Sequence, residues 1–397
     1  MKDITLLNQE AYALVTKKIE SHNSLNNSLE KVPFLPLDRL NSAEEINDSK
    51  EIMSKVISTG AFTSGPYITE VESTLKDFYQ AKCCVATSSG TDALMIALKS
   101  VGIGYGDEVI LPLNSFAATE NAVMAIGATP IFANIDQSFN LVPSEIERLK
   151  THKTKAVLPV CLYGSVQNIR ETYQIAKNLD ISVVLDAAQC FGIQDLINYC
   201  DVIALSFNPF KNIGTFGKSG ALLTKSKEIG IASRQYSYHG FSEGKKNEKA
   251  QDWGFNSRID NMQAAILSVK LKHFEENAKR RGVLASRYIK KTNALFKDIT
   301  LPEQSNENTW HLFPLLLNEF RRDELINFAK NKGVELDVFY PFLSHQGNHD
   351  LAKNYPNKEQ FLSSENIHMR LLHLPLHNHM SFEEQDKVIE VIHEFFS

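Results

Sequence analysis

Long apolar runs, paired cysteines and a strong excess of one charge are all missing from this chain. No apolar stretch reaches the ~18 residues that a membrane-crossing helix needs. The five cysteines, Cys83, Cys84, Cys161, Cys190 and Cys200, form no CxxC pair, which excludes a zinc ribbon and a disulfide scaffold. Cys83, Cys84, Cys161 and Cys200 sit in or beside apolar runs and read as buried free thiols of a reducing compartment. The polar N-terminus, Met1 to Asn27, lacks the apolar core of a signal peptide, so a cytoplasmic location is expected. A net charge of −5 argues against a nucleic-acid-binding protein; Lys245-Lys246 and Arg280-Arg281 read as solvated surface. Gly102, Gly104 and Gly106 precede a strand-like run instead of following one, so they predict a turn and not a dinucleotide fingerprint. His373, His377 and His379 are near neighbours, yet Pro375 breaks any helical ligand face, and no metal site is expected.

What is present is an ordinary globular composition, 43% hydrophobic and 22% charged over 397 residues, enough to bury a large core. Residues 1–31 read as an extension. It holds a short helix, with Leu6, Ala11, Leu14, Val15 and Ile19 at helical spacing, and a Ser/Asn-rich piece from Ser21 to Ser28. Pro33 and Pro36 keep the next stretch extended. Ser42-Ala43-Glu44-Glu45 predicts a capping box that opens a helix reaching Ile57, and Tyr67–Tyr79 resumes a helical period. From Cys83 a regular rhythm begins. Strand-like runs at Cys83–Thr87, Glu108–Pro112, Pro130–Ile135, Ala156–Leu162, Ser182–Asp186, Val202–Ser206 and Ala221–Thr224 are mostly separated by helical segments. Those segments are Asp92–Ser100, Ala117–Ala125, Pro143–Leu149 and Asn168–Leu179.

This alternation predicts an α/β fold: a mainly parallel seven-stranded sheet flanked by helices. The link between the last two runs is too short for a parallel crossover, so one of them should run antiparallel. Asn261–Asn277 predicts a helix that Lys279–Leu295 continues after a break. Trp310–Leu317, Arg322–Lys332 and Val334–Tyr340 then read as strand, helix and strand of a smaller C-terminal α+β unit. The amphipathic helix Glu383–Phe396 closes it. A boundary near residue 275 gives an extension (1–31), a large unit (32–275) and a small unit (276–397).

Three strand ends carry residues with chemical potential. Ser88-Ser89-Gly90-Thr91-Asp92 joins the first strand to a helix. Small residues there let backbone amides approach an anion at the helix N-terminus, although the same letters serve as a plain N-cap. Asp186 ends an apolar run, where a carboxylate needs a partner. That partner could be a pyridinium nitrogen, a helix amide or a cation. Lys211 lies in Ser206-Phe207-Asn208-Pro209-Phe210-Lys211-Asn212-Ile213-Gly214, directly after another strand. A lysine so placed is either a surface residue or an amine that holds pyridoxal phosphate as a Schiff base. Phe116, just after a strand, could stack on a ring or belong to the core. The co-occurrence of cradle, carboxylate and lysine in this order is more specific than any one of them.

With these pieces come Thr63-Ser64-Gly65-Pro66, Gly127-Ala128-Thr129-Pro130, Leu162-Tyr163-Gly164, Asp186-Ala187-Ala188-Gln189 and Asn256-Ser257-Arg258. From about residue 33 onward the chain resembles the DegT/DnrJ/EryC1/StrS sugar aminotransferases, which have the fold-type I architecture of pyridoxal-phosphate enzymes. The resemblance implies Lys211 as Schiff-base lysine and proton shuttle, and Asp186 as partner of the pyridine nitrogen. It implies Gly90, Thr91 and Ser206 at the cofactor phosphate, with Asn256 reaching it from the other subunit of a homodimer. Phe116 would stack on the ring and Gln189 would lie near its hydroxyl. Leu185 and Asn208 depart from residues common in the family, an acid and a histidine, without touching these roles. The implied activity is ping-pong transfer of an amino group from glutamate to a keto sugar. Val32–Pro36, Ser237–Phe241 and Asp337–Pro341 resemble the branch that acts on 3-oxo-glucose 6-phosphate and yields kanosamine 6-phosphate. Family members that use 3- or 4-keto nucleotide-linked sugars are the alternative, and a non-catalytic cofactor-binding regulator is a more distant one. A sugar phosphate would call for a compact cationic pocket, for which His239, Lys245 and Lys246 are candidates; Arg258 is a candidate for the donor carboxylate or for an ion pair.

Overall fold

The computed structural model describes residues 1, 4, 9–22, 30–295, 297–305, 307–347, 349–355 and 358–397. Leu6, and the Ser/Asn-rich piece except its first two residues, lie outside the described residues. The chain begins with α1 (Gln9–His22), α2 (Ala43–Thr59) and α3 (Pro66–Tyr79). Ser42 and Glu45 form the expected capping box on α2. The alternating region follows: β1 (Cys83–Thr87), α4 (Gly90–Ser100), β2 (Glu108–Pro112), α5 (Ala117–Ala125), β3 (Thr129–Ala133), α6 (Ser144–Leu149), β4 (Thr154–Val157), α7 (Ile169–Asn178), β5 (Ser182–Asp186), β6 (Val202–Ser206), β7 (Gly220–Thr224) and α8 (Lys227–Ser237). Among the described residues these seven strands make one sheet in the order β1-β7-β6-β5-β4-β2-β3. Strand β7 runs antiparallel to both of its neighbours and the other pairings are parallel.

The strands are apolar throughout because both faces are covered. In β5, Val183 and Leu185 enter one core and Val184 the opposite one; in β6, Ile203 and Leu205 oppose Val202 and Ala204. That is the period of two expected of a strand buried on both sides. The strand expected to reach Leu162 ends at Val157. Pro159 has no N–H to donate, and its carbonyl accepts from the Asp186 amide at 3.0 Å.

The long helix α9 (Asn261–Thr292) corrects the expected break after Asn277. The apolar period falters there, but Asn277 and Arg281 are buried polar residues with partners. Asn277 donates to Glu45, and Arg281 to Asn378 and three carbonyls. Along α9 the core changes: Leu267, Leu271 and Phe274 pack with the large sheet, while Val283, Leu284 and Tyr288 pack with the C-terminal part. There, β8 (Ile299–Thr300), β9 (Phe313–Leu317), α10 (Arg322–Asn331), α11 (Asp350–Lys353), α12 (Leu362–Arg370), β10 (Leu371–Leu374) and α13 (Phe382–Phe396) follow. The second sheet has the order β10-β9-β8.

One further expectation is corrected. Val334–Tyr340 is not a strand. It makes single bridges, Val334 to Val32 and Asp337 to His373, and the Phe339 amide bonds the His373 side chain instead of continuing a ladder. The expected N-terminal helix is packed on the rest of the chain, with Val15 and Ile19 buried in the second core. Gly282 lies so close beneath Tyr12 that a Cβ there would come within 2.7 Å of its ring. Ile4 reaches the first core and donates its amide to the Gly192 carbonyl.

Candidate active site

The C-terminal ends of β1, β5 and β6 open into one cavity of about 640 Å³. Such strand ends are where open α/β sheets collect ligands. Gly90, Thr91, Phe116, Asp186, Gln189, Ser206 and Lys211 all line it. Asn256 does not; it is exposed, and its backbone bridges Tyr238.

The loop after β6 is folded back on itself. Phe207 donates to the Ser219 carbonyl, Thr215 to the Phe207 carbonyl, and the Lys211 amide to the Asn208 carbonyl at 2.9 Å. This turn presents the Lys211 amine to the cavity. Burial lowers the amine to about 8, and the Asp186 carboxylate acts in the opposite direction. Asp186 itself is 5% exposed and, among the described residues, has no cationic side chain within ion-pair distance. Thr119 donates to Oδ2 at 2.9 Å and the Ala188 amide to Oδ1 at 3.1 Å. Burial raises its pKa, and those two donors and Lys211 restrain the rise.

At the other end of the cavity, Ser89 caps α4 by accepting from the Asp92 amide at 3.1 Å. The capping reading is borne out, and it is compatible with a cradle: with Asp92 and Ala93 bonded back to Ser89, the first amides, Gly90 and Thr91, have no carbonyl of their own helix to meet. Gly90 must be glycine here, since a Cβ would lie 2.7 Å from Ser206 Cβ; a Cβ on Gly220 would lie 2.6 Å from the Ser89 carbonyl. Three chain segments therefore converge at the N-terminus of α4, where an anion is favoured.

The walls come from both halves of the chain. Phe116 is 54% exposed and stands 5.2 Å from the Tyr340 ring, so it is not a core residue. Gln189 accepts from the Tyr163 amide at 2.6 Å and donates to Tyr340 Oη at 3.1 Å. Asn212 gives its amide to the Thr309 carbonyl, which turns its oxygen toward His311 Nδ1 at 2.8 Å. That network assigns the proton of His311 to Nδ1 and leaves Nε2 as an acceptor. Burial, then Lys211 and Arg281, hold the ring well below its ordinary pKa, hence neutral.

His311, Tyr340, Phe339, Asn208 and Lys218 also line the cavity and were not among the residues picked out as site candidates. His239, Lys245, Lys246 and Arg258 do not line it. Lys245 pairs with Glu248, and Arg258 lies over the Tyr238 ring.

A buried carboxylate with no ion pair among the described residues, an amine of lowered pKa and a helix N-terminus lined by small residues, all in one cavity, fit pyridoxal phosphate: ring nitrogen, aldehyde and phosphate each find a complementary group. The family match agrees: the DegT/DnrJ/EryC1/StrS aminotransferase family covers residues 43–393. The chain belongs to that family. The 3-oxo-glucose-6-phosphate:glutamate aminotransferase of Bacillus subtilis is 42% identical over 395 residues, 97% of this chain and 90% of the relative. A crystal structure of NtdA from Bacillus subtilis with bound cofactor PMP has a TM-score of 0.91 at 42% identity, over 94% of this chain and 87% of that one. Streptomyces venezuelae DesV, in complex with a ketimine intermediate, gives 0.85 at 31% identity, over 92% and 98%. The chain is a pyridoxal-phosphate-dependent aminotransferase with the fold of that enzyme class.

Proposed function

We propose that this aminotransferase moves an amino group from glutamate to 3-oxo-glucose 6-phosphate, giving kanosamine 6-phosphate. The likeness to the Bacillus subtilis enzyme of that name, over nearly the whole length of both chains, carries the reading. The presence of Lys211 and Asp186 in one cavity, each acting on the other's charge, supports the chemistry.

Pyridoxal phosphate, when bound, supplies the electron sink for amino-group transfer. Asp186 would hold the ring nitrogen, with Thr119 and the Ala188 amide fixing the carboxylate. Gly90, Thr91 and Ser206 would hold the phosphate. Lys211 would carry the aldehyde carbon and, when released, take a proton from the donor carbon and return it two atoms away, beyond the transferred nitrogen. An amine near 8 exchanges protons readily at neutral pH. Phe116 and Tyr340 would flank the ring, and Gln189, oriented by the Tyr163 amide, would lie near its hydroxyl. His311 Nε2 would accept from a substrate hydroxyl.

A homodimer with shared sites belongs to the same proposal. The exposure of Asn256 outside its own cavity is what a contribution to the partner subunit requires. The division at residues 31 and 275 also stands as our reading, supported near 275 by the change of core along α9. A cytoplasmic location is supported by five free thiols, four of them buried; among the described residues no helix is long and apolar enough to cross a membrane.

The test is amination of 3-oxo-glucose 6-phosphate beside 3- and 4-keto nucleotide sugars, with glutamate as donor and 2-oxoglutarate release as readout. Turnover of the nucleotide sugars alone overturns the substrate. No 2-oxoglutarate from glutamate overturns the donor.

A further inference from the structure

Lys218 lines the cavity without a role in the chemistry above. It is exposed, and no carboxylate or carbonyl oxygen of this chain lies within ion-pair or hydrogen-bond distance of its amine among the described residues. Its place follows from the backbone. Ser219 faces inward: its carbonyl accepts from the Phe207 amide at 2.8 Å and its hydroxyl meets Thr215 Oγ1 at 2.9 Å. Two residues on from Lys218, β7 opens with Gly220, whose open side is against the Ser89 carbonyl and the Gly90 amide and which pairs with Ser206 and Thr87. The backbone of Lys218 is therefore anchored next to the segments that form the cradle.

The cradle end of the cavity is short of positive charge. The cradle offers amides of Gly90 and Thr91, hydroxyls of Thr91 and Ser206, and the fractional charge of the α4 N-terminus, about half a unit. A phosphate monoester carries close to two negative charges at neutral pH. Lys211 is committed to the aldehyde end and His311 is neutral, so among the described residues Lys218 is the remaining side-chain cation lining the cavity.

We infer that Lys218 is a phosphate-monoester contact at the mouth of the site. Two phosphate monoesters enter this cavity, that of the cofactor and that of a phosphorylated sugar. The inference for the second rests on the substrate proposed above; the inference for the first does not. A charge-assisted hydrogen bond of this kind contributes enough to change binding by roughly tenfold or more.

The experiment compares wild type with Lys218→Ala, Lys218→Gln and Lys218→Arg in two arms. In the first, the full-length chain freed of cofactor is titrated with pyridoxal phosphate and with pyridoxal, which lacks the phosphate, and binding is read from absorbance. In the second, KM is measured on the holoenzyme for 3-oxo-glucose 6-phosphate and for 3-oxo-glucose, with the glutamate half-reaction alongside. A loss of about tenfold for the phosphorylated member of a pair, with little change for the other and recovery in Lys218→Arg, supports the contact. The arm in which it occurs identifies which phosphate is held. Equal losses for both members of each pair, or no change in any, overturn it. If neither sugar is turned over by wild type, the substrate reading fails while the cofactor arm still decides the role of Lys218.

Discussion

Lys211 and Asp186 share one cavity as an amine and a carboxylate whose proton affinities burial drives toward each other. The amine is lowered to about 8 from an ordinary 10.5, and the carboxyl is raised. Between about pH 8 and 10.5 the unfolded chain holds the lysine proton and the folded, cofactor-free chain does not. The folded state therefore gains stability as pH rises through that window. Lys211→Met removes the cost of a buried ammonium, so this variant should melt above cofactor-free wild type below pH 8. Its lead should shrink between about pH 8 and 10.5. Calorimetry of the two proteins across that range checks it, and a lead independent of pH counts against the assignment. With cofactor present, Lys211→Ala should lose roughly 10²–10⁴-fold or more in turnover.

Gly90→Ala places a methyl group against Ser206, including its backbone at 3.3 Å. The cradle must open to admit it. Cofactor affinity should fall by about tenfold or more, since charge-assisted bonds to the phosphate are lost or lengthened. Thermal stability without cofactor should change far less. Equilibrium dialysis and melting curves separate the two effects.

Glu45 is 2% exposed, 3.3 Å from the Lys270 amine and 3.2 Å from Asn277. Burial by itself would raise its pKa, but His379, Lys270 and the Ser42 amide together bring it to about 2. A carboxylate depressed in the folded state stabilises above its unfolded pKa, near 4.5, and loses that contribution as pH falls toward 2. Glu45→Leu should lower stability by about 3–5 kcal/mol by leaving the Lys270 ammonium buried and unpaired. Adding Lys270→Met should restore much of the loss. Denaturant melts of the single and double variants at pH 7 provide the measurement.

Gly282→Leu drives a side chain into the space of Tyr12. Overpacking of this kind costs about 1–3 kcal/mol. Helix α1 should lift from α9, exposing Val15 and Ile19, while the cavity keeps its shape. Faster proteolysis within residues 9–22 at nearly unchanged cofactor affinity is the expected result.

Much of the large sheet was legible in the sequence because each strand obeys one local rule. Val183, Val184 and Leu185 are apolar in succession, as strands covered on both faces must be. That one of the last two strands of the sheet is reversed followed from the length of a single link. The site was legible where it depends on strand ends, as at Gly90, Asp186 and Lys211. It was not legible where distant segments dock. His311 joins the cavity through Asn212, about a hundred residues earlier, and Tyr340 joins it through Gln189. Neither contact leaves a periodic or compositional trace. The continuity of α9 was hidden for a related reason: Asn277 and Arg281 look like surface residues until Glu45 and Asn378 are brought beside them. The strand Leu371–Leu374 is only four residues long and buries its histidine, so it too leaves no period of two.

Strand β7 lies between β1 and β6 although it follows both in the chain. During synthesis, the ends of β1 and β6 have no strand to join them until residues 220–224 have emerged. A ribosome-bound chain that stops short of this point carries Lys211 and the Gly90-Thr91 turn but lacks the strand that holds them in register. The Lys211 loop and the Gly90-Thr91 turn are thus brought into register only after the middle of the chain has emerged, and His311 and Tyr340 complete the walls later still.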